Sequence, residues 1–218
     1  MLMTQILIIN PNSTESMTEK VRVAATMAAP ADASIVARTS HQGPASIQGP
    51  EDGELALPGL LQEIQKGIDE GFDAFILACF DDTGLDQART MTDKPVLGIG
   101  EAAFHTSMLR GHRFSVVTTL SVSVPVIEEN LQRYGIAEYC RKVRASEVPV
   151  LALEEPGSDA EKRISSEIGL AVQQDDCQSI VLGCAGMTDL ADRLSAEHKL
   201  PVVDGVVSAT RMAYALAF

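Results

Sequence analysis

The sequence predicts a doubly wound α/β fold built as two copies of one unit. Three observations carry that expectation. Short apolar runs alternate with amphipathic stretches of helical period, as in chains of β-α-β units. Several of the runs are continuously apolar rather than alternating, the pattern of parallel strands buried on both faces. And Phe75-Ile76-Leu77-Ala78-Cys79 returns as Ile180-Val181-Leu182-Gly183-Cys184, an internal repeat of strand plus small residue plus cysteine.

Taken in order, strands are predicted at Gln5–Asn10, Ser34–Thr39, Ala74–Ala78, Pro95–Ile99, Phe114–Thr119, Lys142–Val148, Ser179–Gly183 and Pro201–Val203. Helices are predicted at Glu15–Ala28, Leu55–Gly71, Glu101–Gly111, Val126–Tyr134 and Glu161–Asp176, with an apolar C-terminal helix over Val206–Phe218. Asn12, Ser13 and Thr14 precede the first helix and are residue types that cap helix N-termini. In each copy a short polar loop and a helix-like stretch follow the cysteine. A proline-led strand comes next, 16 residues after Cys79 and 17 after Cys184. The repeat extends upstream, because Ile6-Leu7-Ile8-Ile9-Asn10 and Phe114-Ser115-Val116-Val117-Thr118-Thr119 both run into loops of hydroxyl or amide side chains. No flexible linker separates the copies. The expected division is residues 1–101 as the first half, joined by helix 206–218, and residues 102–205 as the second.

Composition narrows the function. The chain has 218 residues, 45% of them hydrophobic, which is ample for a packed core. No apolar run is long enough to cross a bilayer, and the N-terminus lacks a basic region and cleavage site, so a cytoplasmic location is expected. Thirty acidic against 17 basic residues give a net charge of −13, a field that repels phosphate backbones. With no Trp, three Tyr and six Phe, there is little aromatic surface for stacking bases. The expected partner is a small molecule, neither nucleic acid nor membrane. The four cysteines form no CxxC pair and no histidine stands at ligand spacing from them, so a structural zinc site is unsupported.

The repeat places Cys79 and Cys184 at the carboxyl ends of strands, where open α/β sheets collect functional groups. If the halves face one another about a pseudo-twofold axis, the two thiols approach one cleft from opposite sides. That is what a two-base epimerisation needs: one thiolate removes a proton from carbon and the opposite thiol returns one to the other face. An unperturbed thiol pKa of about 8.5 allows both forms near neutrality. No cofactor is required if a neighbouring carbonyl acidifies the carbon. Each cysteine alone reads as a small core hydrophobe; the matched pair reads as functional. Cys140 and Cys177 have no counterparts and read as structural.

Other candidates surround these two. Asn10, Ser13 and Thr14 offer donors at a strand-to-helix turn, and Thr118 and Thr119 occupy the matching place in the second copy. Gly183, Ala185 and Gly186 leave backbone N–H groups open around Cys184, suited to a developing enolate oxygen. Phe80 and Asp81 follow Cys79 into the same loop. Asp81 and Asp82 would raise a nearby thiol's pKa and repel a dicarboxylic ligand if they face it; the alternative is solvated loop acids. Gly98-x-Gly100-x-x-Ala103 formally matches a dinucleotide fingerprint, but Glu101 stands where the pyrophosphate would sit. His105 is left unassigned.

Five ordered motifs also resemble a family: Asn10-Pro11-Asn12-Ser13-Thr14, the Cys79 loop leading to Gly98-Ile99-Gly100-Glu101-Ala102-Ala103-Phe104-His105, Val117-Thr118-Thr119, Gly183-Cys184-Ala185-Gly186-Met187 and Pro201-Val202-Val203-Asp204-Gly205. Together they resemble the aspartate/glutamate/hydantoin racemase superfamily, nearest its hydantoin and allantoin racemase branch, over nearly the whole chain. The resemblance implies two flavodoxin-like halves with the site between them, Cys79 and Cys184 as the acid/base pair, a C-terminal helix belonging to the first half, and a homo-oligomer. The branch usually carries a Gly-Asp-Pro-Gly-like loop one residue beyond the first cysteine. Here Phe80-Asp81-Asp82-Thr83-Gly84 adds a carboxylate and lacks the proline.

The expected activity is therefore cofactor-independent racemisation of 5-substituted hydantoins or related ureides such as allantoin. An aspartate- or glutamate-type amino-acid racemase is the nearest alternative. A decarboxylase or a cis–trans isomerase is less favoured, because decarboxylases of the superfamily tend to keep one of the two cysteines. From other classes, a non-catalytic small-ligand binder and a nucleotide-binding oxidoreductase using the Gly98 turn remain open.

Overall fold

The computed structural model describes residues 3–217. Its strands are β1 (Thr4–Asn10), β2 (Ala33–Thr39), β3 (Ala74–Leu77), β4 (Val96–Gly98), β5 (Phe114–Thr118), β6 (Cys140–Ala145), β7 (Ser179–Gly183) and β8 (Val202–Val203). They form two four-stranded sheets, ordered β2-β1-β3-β4 and β6-β5-β7-β8. Every pairing is parallel. The second order is the first repeated, so the internal repeat in the sequence is a repeat of topology.

The central strands are apolar without alternation because both their faces are covered. Ile6, Leu7, Ile8 and Ile9 on β1 are at most 1% exposed, and all five residues of β7 are buried. The covering helices are α1 (Glu15–Ala28), α2 (Pro50–Glu70), α3 (Leu85–Arg89), α4 (Ile99–Leu109), α5 (Val124–Arg133), α6 (Ala160–Gln174), α7 (Ala191–His198) and α8 (Gly205–Leu216). Among the described residues no helix is long and apolar enough to cross a membrane.

One apolar cluster joins the two sheets. It runs from Ile6 and Ile76 through Phe104 to Phe114, Val116 and Val181. Phe104 on α4 is its pivot, stacked on Phe114 at 5.8 Å and edge-on to Phe80 at 5.3 Å. Helix α8 packs on α4, α1 and β3. Its start is capped by Asp204, whose carboxylate accepts from Val207 N–H at 2.7 Å.

Two elements differ from expectation in an instructive way. Helix α2 starts five residues earlier than the periodicity predicts, with Pro50 in its first turn, Glu51 and Asp52 behind it, and Gly53 and Pro58 inside it. Proline at the start suits a helix, and the Asp52 carboxylate holds the preceding Gln48 N–H at 2.9 Å. Gly53 fits because a side chain there would press on Thr83. Strand β6 ends three residues early, because Glu147 takes a left-handed backbone (φ 54°) and turns the chain out of the ladder. At the start of α1, Thr14 does not cap with its side chain; its hydroxyl instead donates to the Ala45 carbonyl at 2.7 Å.

Candidate functional site

The repeat places Cys79 two residues beyond the end of β3 and Cys184 one residue beyond the end of β7. Both side chains line one small cavity. Its first-half wall is Pro11, Asn12 and Met17 from the β1–α1 turn, Ile47 from the loop before α2, and Ala78, Cys79, Phe80 and Asp81. Its second-half wall is Thr119, Ser123, Val150, Gly183, Cys184 and Ala185. All four cysteines are free thiols.

Of the candidates named from sequence, Cys79, Phe80, Asp81, Thr119, Gly183, Cys184 and Ala185 line this cavity. The others lie behind the wall. Asn10 is 2% exposed, and its amide donates to the Asn12 side chain at 2.9 Å, to the Thr14 carbonyl at 3.2 Å and to the Thr18 hydroxyl at 3.0 Å. It holds the loop that presents Asn12. Thr118 donates to the Gly183 carbonyl at 2.9 Å and so ties the ends of β5 and β7 together beside Cys184. Ser13 and Thr14 sit on the outer side of the turn, where Ser13 N–H bonds Pro44 O at 2.8 Å. Gly186 contributes its backbone: its N–H favours the Cys184 thiolate.

The loop after Cys79 separates two adjacent acids. Asp82 adopts a left-handed backbone (φ 51°), as does Gly84 (φ 76°), and Asp tolerates that conformation better than most residues. The reversal sends the Asp82 carboxylate away from the cavity onto the start of α4. There it accepts from Gly100 N–H at 3.0 Å, Glu101 N–H at 2.7 Å and Tyr134 OH at 2.8 Å. The open amides of the Gly98 turn are therefore occupied by the protein's own carboxylate. Burial pushes Asp82 up to about 7 against those three hydrogen bonds. Asp81 stays on the cavity side. Asn130 holds its carbonyl at 2.9 Å, and Ser123 donates to its carboxylate at 3.4 Å. Burial pushes Asp81 up to about 6.

The two thiols are electrostatically unequal. Burial raises Cys79 far above an ordinary thiol and Asp81 raises it further, while Thr83 Oγ1, 3.7 Å from the sulfur, works in the opposite direction. Burial pushes Cys184 only to about 11: the Gly186 N–H acts against the rise, and the Lys20 ammonium offsets part of what Asp81 adds. Lys20 comes from α1. It donates to the carbonyls of Leu153 (3.3 Å) and Gly186 (3.2 Å) and pairs with Glu154 at 2.8 Å. Sequence reasoning missed Lys20, Ile47, Ser123 and Val150, which stand far from either cysteine motif along the chain. Asn12, one of the amide and hydroxyl groups the sequence gathers at the strand-to-helix turn, lines the cavity where its neighbours Asn10, Ser13 and Thr14 do not.

Comparison with known proteins agrees with this architecture. A family model described as Asp/Glu/Hydantoin racemase matches residues 6–213. The chain is 47% identical over 209 residues to a hydantoin racemase of Rhizobium meliloti, covering 96% of this chain and 87% of the relative. It is 41% identical to a hydantoin racemase of Pseudomonas sp. (strain NS671), with 96% and 84% covered. The solved structure of an allantoin racemase from Klebsiella pneumoniae superposes with a TM-score of 0.94 at 37% identity, covering 98% of this chain and 87% of that one. With one family spanning both sheets and both cysteine loops, this chain belongs to the Asp/Glu/hydantoin racemase family.

Proposed function

We propose that this protein racemises 5-substituted hydantoins or related ureides such as allantoin, with Cys79 and Cys184 as the proton-transfer pair. The observation that carries the reading is that equivalent strand ends of two repeated sheets deliver both thiols to one cavity. The carbon between the ring nitrogen and the carbonyl is acidified by that carbonyl. A thiolate on one face removes its proton, the electron pair moves into the carbonyl as an enolate, and the opposite thiol protonates the planar carbon from the other face. The enzyme finishes with the protonation states of its two sulfurs exchanged. Cys184 is the thiol that ionises first, since burial, with Asp81 adding to it, keeps Cys79 protonated, while the Gly186 N–H and Lys20 favour the Cys184 anion. The Gly183–Ala185 backbone lines the cavity in which the enolate oxygen develops.

Free aspartate or glutamate suits the cavity less well, because Asp81 lines it and, among the described residues, no lysine or arginine does. The same reading takes the protein as a cytoplasmic homo-oligomer, with residues 1–101 and 206–218 as one half and 102–205 as the other.

Chiral chromatography of one enantiomer of a hydantoin, incubated in D₂O, tests the proposal. The wild type incorporates deuterium at the stereogenic carbon as it racemises. Cys79→Ser and Cys184→Ser each lose racemisation by roughly 10²- to 10⁴-fold, the range expected of a general acid or base. Full racemase activity in either variant refutes the paired-thiol mechanism.

A further inference from the structure

Asp81 and Asp82 are neighbours in sequence with opposite fates. Asp82 is consumed by three hydrogen bonds to the start of α4 and to Tyr134. Asp81 lines the cavity with Cys79 and Cys184, and among the described residues its carboxylate has one hydrogen bond, a long one of 3.4 Å from Ser123. No lysine or arginine among the described residues pairs with it. The acid is nevertheless fixed, because Asn130 grips its carbonyl and the turn at Cys79 O closes behind it through Asp82 N–H at 3.1 Å. Its charge acts on both sulfurs, so the carboxylate stands within electrostatic reach of each. A held, under-bonded carboxylate beside the reacting groups is a hydrogen-bond acceptor waiting for a donor.

We propose that Asp81 is a specificity-determining residue of this cavity: it accepts N–H hydrogen bonds from the ligand, and selects substrates whose 5-substituent carries N–H donors over those whose substituent carries a carboxylate. A ureido substituent brings several such donors, an alkyl substituent none, and a carboxymethyl substituent a like charge. The racemase reading supplies the assay for this inference, while its physical content is a statement about binding.

Three ligands sharing one ring test it: allantoin, 5-methylhydantoin and hydantoin-5-acetate. The wild type has kcat/KM falling in that order. Asp81→Asn narrows both ratios, with allantoin over 5-methylhydantoin shrinking by roughly 10-fold and 5-methylhydantoin over hydantoin-5-acetate by at least as much, the scale of one charge-assisted hydrogen bond. Removing the acid also changes the thiols, but that effect is common to all three substrates and cancels in the ratios. Asp81→Ser serves as a second variant, with thermal unfolding to show that each is folded. Ratios unchanged within twofold in a folded variant overturn the proposal. If the wild type turns over none of the three, the racemase reading fails on its own. Thermal shifts with allantoin and hydantoin-5-acetate then decide this inference: a preference for allantoin that Asp81→Asn abolishes supports it, and equal shifts in wild type and variant overturn it.

Discussion

The Gln48 side-chain carbonyl accepts the Val150 backbone N–H at 3.0 Å, joining the loop before α2 to the loop after β6. Ile47 and Val150, the neighbours in this link, both line the cavity that holds Cys79 and Cys184. One hydrogen bond thus ties loops of the two repeats together over the candidate site.

Gln48→Ala should loosen that roof with little cost to the fold. A single hydrogen bond of this kind contributes about 1 kcal/mol, so the melting temperature falls by only a few degrees for a domain of this size. KM for a hydantoin rises by roughly fivefold, consistent with that energy, while kcat changes less. Steady-state kinetics beside thermal unfolding check the split.

Lys20→Met removes the positive charge that favours the Cys184 thiolate. With the charge gone the Cys184 pKa moves up, so the acid limb of the rate profile moves to higher pH. Activity at pH 7 drops by about tenfold for each unit of displacement and recovers as pH is raised. A loss caused by misfolding would not recover with pH, and the pH profile of kcat/KM distinguishes the two.

Alkylation should report the inequality of the thiols directly. The nucleophile is the thiolate, and Cys184 is the less elevated and more exposed of the pair. Limited iodoacetamide treatment at pH 8, followed by peptide mapping, modifies Cys184 before Cys79. Lys20→Met slows the Cys184 reaction. Equal labelling of both sulfurs argues against Cys184 as the thiol that ionises first.

Away from the site, Arg144 on β6 is 6% exposed in its side chain and holds Asp175 through two bonds, at 2.5 and 2.6 Å. Ser115 donates to the same carboxylate at 2.8 Å, and Glu167 meets the other side of Arg144 at 2.9 Å. Asp175→Ala leaves a buried guanidinium short of a partner, which costs about 3 kcal/mol. Burial pushes Asp175 up, but the Arg144 and Ser115 hydrogen bonds hold it below its ordinary value. Its stabilisation is present above the unfolded value of about 4 and lost as pH falls through the depressed folded one. Denaturant melts from pH 6 to 2.5 measure that loss.

Asp81, Asp82 and Asp204 act in the opposite direction. Burial raises them to about 6, 7 and 6, so between about pH 4 and 7 the folded protein binds more protons than the unfolded chain. Stability therefore declines as pH rises through that window, and self-repulsion of a chain with net charge −13 adds to the decline. The melting temperature should be higher at pH 5.5 than at pH 8. In Asp82→Asn that difference shrinks.

Much of the molecule was legible along the chain because parallel strands buried on both faces write themselves as uninterrupted apolar runs. The repeat of 75–79 in 180–184 announced the matching strand orders, and with them the placement of both cysteines at strand ends. Boundaries were less legible where a single backbone angle decides them, as at Glu147, or where a helix tolerates Gly53 and Pro58 because its packing accepts them.

Sequence by itself determined the layered α/β plan, its duplication and the two thiols at equivalent stations, since each depends on local pattern. Only the tertiary structure decided which of two adjacent acids meets the cavity, that Lys20 on α1 reaches the Gly186 carbonyl beside Cys184, and that Gln48 closes the gap to Val150. Those outcomes rest on distances between residues far apart in the chain and on one left-handed residue in a loop, quantities that hydrophobic periodicity does not encode.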